Sequence, residues 1–151
     1  MPKPLLPVFS IGFTKKTAAQ FFETLRSAGV RRVIDVRLNN VSQLAGFAKR
    51  DDLKYFLPEI LDVEYVEAPS LAPTQSLLDS YKKGNGAWEN YARDFRQLMK
   101  NRRIEKTLDP ALLEGGCLLC SEDQPHHCHR SLILEYLQTH WGNLSIRHLG
   151  N

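Results

Sequence analysis

The chain has 151 residues, 42% hydrophobic and 25% charged, enough apolar material for one domain with a real core. No stretch approaches the roughly 20 apolar residues of a membrane helix, and the proline-broken opening MPKPLLPVFS makes a poor signal peptide. Three cysteines, an odd number, argue against a disulfide framework and for a reducing, cytoplasmic setting, while a net charge of +3 is compatible with an anionic partner without demanding one.

In chain order, residues 5–11 read as a short buried strand after a flexible tip at 1–4. Thr17 and Gln20 fit a capping box, with Phe21, Phe22, Leu25 and Ala28 on one helical face and Gly29 as the stop. The run from Val30 to Leu38 is apolar and β-branched, with Asp35 and Arg37 at its far end. A strand apolar on both faces belongs inside a parallel sheet. After a polar loop, Asp51 or Asp52 is placed to cap a helix reaching Leu61, with Leu53, Phe56, Leu57 and Ile60 on one face and Pro58 shortening it. A third strand is expected at 63–68 and a helix at 74–83. Trp88, Tyr91, Phe95, Leu98 and Met99 then recur at helical spacing and read as core packing. Residues 102–114 connect to a strand at 116–120, a helix at 129–140 and a last strand at 145–149.

This alternation predicts a single α/β domain over 1–151: a three-layer α/β/α sandwich around a mainly parallel, Rossmann-like sheet. Such sheets bind ligands beyond the carboxyl ends of their strands. Loops at 10–14, 35–40, 67–71 and 120–130 should therefore share one mouth.

The last of these loops, between an apolar strand and an apolar helix, holds most of the chemistry. Cys117 and Cys120 have CxxC spacing, but three positions along a strand point to opposite faces, so Cys117 reads as a buried apolar residue. Cys120, at the strand end, is a candidate nucleophile, and Arg130 or the following helix start would favour its thiolate. Arg130 and Ser131 at that helix start, with Cys128 and His129 before them, suit a phosphate or carboxylate. Glu122 and Asp35 are candidate acid–base groups, and Arg37 and Thr14 further ligand contacts; Ser10, Asn39, Asn40 and Ser42 are weaker ones. Asp35 and Arg37, on one side of a strand end, are expected to form one network with Arg130. Cys120, His126, His127, Cys128 and His129 also have the chemistry of zinc ligands, but the spacing matches no standard finger, so no cofactor is expected, with zinc the alternative. Arg93, Arg96, Lys100, Arg102, Arg103 and Lys106 against Asp94 and Glu105 give a net +4, a solvated helix face or a nucleic-acid contact.

Ile11-Gly12-Phe13-Thr14, Val33-Ile34-Asp35-Val36-Arg37 and a closing Cys-x-Glu-x-x-Pro-x-x-Cys-His-Arg (Cys120, Glu122, Pro125, Cys128, His129, Arg130) together resemble the domain of unknown function 488 family, small bacterial and archaeal α/β proteins. The resemblance implies the α/β fold and little about activity. Leu38-Asn39-Asn40 stands where many members carry a serine- and proline-containing loop, marking a variant branch. The layout is also loosely similar to rhodaneses and cysteine phosphatases, whose cysteine precedes the arginine by about five positions; Cys120 precedes Arg130 by ten and Cys128 by two. The residues therefore point to a site for an anionic, phosphate-bearing ligand. The alternatives are a nucleic-acid module built on residues 93–106 and a zinc-stabilised interaction domain.

Overall fold

The computed structural model describes residues 4–41, 46–83, 87–121 and 128–150. Five strands form one parallel sheet: β1 (Leu6–Gly12), β2 (Arg32–Asp35), β3 (Glu64–Glu67), β4 (Gly116–Cys120) and β5 (Leu144–His148), in the order β3-β2-β4-β1-β5. Helices α1 (Ala18–Ala28) and α2 (Arg50–Phe56) cover one face. The other face carries α3 (Gln75–Lys83), α4 (Trp88–Arg102), α5 (Ile104–Thr107), α6 (Pro110–Leu113) and α7 (His129–Trp141). The α/β sandwich read from the sequence is the fold of this chain, and its sheet is parallel throughout.

Side-chain alternation sorts the core. On β4, Cys117 and Leu119 join the layer under α1 and α2, while Leu118 and Cys120 join the layer under α4 and α7. The CxxC pair is thus split across the sheet, as strand geometry requires. On β2, Val33 faces the first layer and Ile34 the second, and both are fully buried. Gly116 is required by proximity: a Cβ there would stand 2.7 Å from Ile34 Cδ1 and 3.0 Å from the Leu112 carbonyl oxygen.

Helix ends follow their local chemistry. Thr17 Oγ1 accepts from Gln20 N at 3.1 Å and Gln20 Oε1 accepts from Thr17 N at 2.8 Å, completing the expected capping box. Gly29 closes α1 at φ 73°, a left-handed conformation that costs a glycine little.

Three expectations are corrected. The strand from Val30 to Leu38 is paired only over Arg32–Asp35, because the Asp35 carboxylate folds back onto the Arg37 amide. Lys49, not Asp51 or Asp52, is the cap residue of α2; the two acids lie in its first turn, where their charge suits the helix dipole. That helix stops at Phe56 and continues as a wide π-turn over Leu57–Leu61, with Pro58 in its first turn. The wider turn shifts the apolar face, leaving Leu57 buried and Ile60 exposed.

Candidate functional site

Parallel strands put all their carboxyl ends on one edge, and backbone bonds fasten the loops there. Thr14 N and Thr14 Oγ1 both donate to the Ser121 carbonyl, Oγ1 at 2.7 Å. Val36 N donates to the Leu119 carbonyl, and Ala68 N to that of Asp35. The loop after β4 leaves toward α7 on one face, while those after β1 and β2 leave toward α1 and α2 on the other. This divergence of crossovers is where α/β sheets open a crevice.

On the α1–α2 side, Asp35 and Arg37 form a buried pair. Arg37 Nε and one Nη donate to the two Asp35 oxygens at 2.8 Å each, and Arg37 N donates at 3.1 Å. The Tyr65 hydroxyl adds a fourth bond to Asp35, at 2.5 Å. Burial, and then that bond, push the Tyr65 hydroxyl's pKa up, so it stays a donor. The Arg37 guanidinium lies 5.4 Å over the Phe13 ring. The expected single network of Asp35, Arg37 and Arg130 is therefore divided: Asp35 takes Arg37, and Arg130 belongs to the other face.

On the α4–α7 side, Cys120 and Cys128 are paired sulfur to sulfur, their Cα atoms 7.8 Å apart. The odd cysteine count thus conceals one pair and one solitary thiol, Cys117, whose pKa burial raises far above its ordinary range. Arg130 is fully buried, and its Nη1 donates to Cys120 Sγ at 3.7 Å. Cys128 is the cap residue of α7, and its carbonyl accepts from the Ser131 hydroxyl at 2.8 Å. His129 Nε2 donates to the Val36 carbonyl at 2.8 Å, and its ring packs on Phe95. Burial, seconded by the Arg130 charge, lowers the His129 pKa to about 4, so the imidazole is neutral at pH 7.

Between these clusters opens a cavity of about 140 Å³. Cys120, Cys128, His129 and Arg37 line it, together with the aromatic residues Tyr81, Trp88 and Tyr91. Trp88 and Tyr91 stack at 5.2 Å between centroids, with Tyr81 at 4.9 Å from Tyr91. The helical spacing correctly predicts that Tyr91, Phe95 and Met99 are core. It does not reveal that the stripe runs on past the core, so that half-buried Trp88 and Tyr81 reach the mouth. Their only signal is position: Tyr81 lies near the end of α3 and Trp88 opens α4, on either side of the sequence Gly84-Asn85-Gly86.

Several candidates are engaged elsewhere. The Thr14 and Ser131 hydroxyls hold backbone carbonyls, and Ser10 Oγ lies 2.5 Å from His148 Nδ1 within the sheet. Arg102 of the basic segment donates to the Ser70 and Ala72 carbonyls, whereas Arg93, Arg96 and Lys100 remain exposed along α4. Glu122, Pro125, His126, His127 and Ser42 lie outside the described residues. Among the described residues no cluster of three metal-binding side chains occurs, and no helix is long and apolar enough to cross a membrane.

Fold and site together define an all-parallel α/β domain whose sheet ends in a cysteine- and arginine-bearing mouth. The chain belongs to the family described as Domain of unknown function DUF488, whose match covers residues 17–137. That span includes the Val33–Arg37 and Cys120–Arg130 motifs, while Ile11–Thr14 precede it. No curated protein and no solved structure matches the chain.

Proposed function

We propose that the mouth binds a small anion, with inorganic phosphate or the phosphate end of a small metabolite as the fitting class. The observation that carries this reading is the state of Arg37. Its side chain is 4% exposed, Asp35 takes Nε and one Nη, and the second Nη has no bond among the described residues while the residue lines the cavity. A guanidinium with a donor to spare, in a residue that lines a cavity, favours an acceptor there, and a charged acceptor most. Arg130 adds positive charge close by, on the same side as Cys120. The size of the cavity supports a small group, since cofactor-sized sites run to roughly 300–1,000 Å³. Tyr81 and Trp88 at the rim would receive a planar substituent carried by such an anion.

The test is calorimetric titration of the full chain with inorganic phosphate. Saturable binding is expected, weakened about tenfold or more in Arg37→Lys, because an ammonium cannot hold Asp35 with one edge and a ligand with the other. Absence of saturable heat, or equal affinity in a folded Arg37→Lys chain, overturns the reading.

A further inference from the structure

We infer that Cys120 and Cys128 form a reactive thiol pair that reduces a small hydroperoxide, with Cys120 attacking and Cys128 resolving. This goes beyond the anion reading and does not depend on it.

Three observations converge. The two sulfurs meet at the cavity, although they come from a strand end and a helix start eight positions apart. Arg130 places a buried guanidinium Nη1 3.7 Å from Cys120 Sγ, so a fixed positive charge stands against that sulfur. A cation held there favours the thiolate, the form that attacks. Finally, Cys120 and Cys128 both line an opening, but the two residues are only 1% and 2% exposed. An oxidant must be small to reach them, which favours hydrogen peroxide or a short alkyl hydroperoxide over a bulky disulfide. Cys117 supplies an internal contrast: it lies on the other face of β4, away from the cavity lining, with its thiol form held by burial.

The Cys120 thiolate attacks the terminal oxygen of R–O–O–H; the S–O bond forms, the O–O bond breaks, and RO⁻ takes the Cys128 thiol proton to leave as ROH. The Cys128 thiolate then attacks Cys120 Sγ. The S–S bond forms, the S–O bond breaks, and hydroxide leaves with the proton Cys120 first released, as water. Two thiols and one hydroperoxide become one disulfide, one alcohol and one water, with the peroxide reduced by two electrons. Two molecules of an external thiol return the pair to the dithiol and depart as their own disulfide.

The experiment uses the reduced full-length chain and hydrogen peroxide as the probe. Thiols are counted after denaturation, and the cysteine peptides are mapped. One equivalent should take the count from three to one, leaving Cys117 and joining the Cys120 and Cys128 peptides. Folded protein should lose these thiols at least about tenfold faster than the same chain in urea. Cys128→Ser should keep the start of α7, since serine is a favoured cap residue, and stop the reaction at a Cys120 sulfenic acid trapped by dimedone. Loss no faster in the folded than in the unfolded chain overturns the inference. So does loss of Cys117 in step with the pair, or a folded Cys128→Ser chain that leaves Cys120 unmodified.

Discussion

Two clusters sit at the same sheet edge and differ in one respect: one is closed and the other opens on space. Asp35 has its oxygens filled by three donors of Arg37 and by the Tyr65 hydroxyl, all from its own surroundings. The Cys120–Cys128 pair, with Arg130 behind it, fronts the cavity. The Asp35 carboxylate is the hub of a closed set of hydrogen bonds. Reactivity needs access as well as charge, and Cys120 and Cys128 line the cavity whereas Asp35 does not. Arg37 links the two sides: it gives Nε and one Nη to Asp35 and also lines the cavity.

The largest effect should come from breaking the closed cluster. Asp35→Asn keeps the shape and removes the charge, leaving the Arg37 guanidinium buried without its counter-ion. Stranding one partner of a buried pair costs about 3–5 kcal/mol, and urea unfolding at neutral pH should show a loss in that range. A loss below about 1 kcal/mol would mean that Arg37 is already compensated from the cavity side.

On the open side the sharpest handle is His129. Its folded pKa, about 4, lies below the ordinary 6.5, so the unfolded chain binds the proton first as pH falls. Stability is therefore full above about 6.5, declines between about 6.5 and 4, and declines no further from this group below that. Roughly 2 kcal/mol should be lost between about pH 7 and pH 5. His129→Gln, which retains a donor for the Val36 carbonyl, should flatten most of that slope. The remainder belongs to His148, whose pKa burial also lowers, with Arg130 contributing. An unchanged slope in the variant would place the titrating group elsewhere.

The contrast also marks how far the sequence could be read. Periodicity places every strand of the sheet and the long helices, since apolar alternation and helical stripes are properties of neighbouring residues. The cap at Thr17, the stop at Gly29 and the split of Cys117 from Cys120 are equally local. What was not legible is pairing between distant segments. Asp35 had two arginine candidates, and spacing alone cannot decide between Arg37 and Arg130. Cys128 meets Cys120 only because α7 starts over the end of β4. Tyr65, the fourth donor to Asp35, comes from the neighbouring strand β3 through the register Asp35↔Glu67, Val33↔Tyr65, which no local pattern encodes.

Tyr65 gives the mildest and most diagnostic change. Tyr65→Phe keeps the ring that packs under α2 and removes one bond to a charged acceptor. Asp35 still accepts from Arg37 on both oxygens, so no buried group is orphaned, and the cost should be near 1.5 kcal/mol by urea unfolding. Combined with Cys128→Ser in reduced protein, it tests whether the clusters are energetically separate. Groups without shared partners add to within about 0.5 kcal/mol. Additivity would confirm two independent devices on opposite faces of one sheet. A larger coupling would have to pass through Arg37, which binds Asp35 and lines the same cavity as the cysteines. In that case loosening Asp35 would re-aim the donor at the cavity, and the double variant should bind phosphate differently from Cys128→Ser alone.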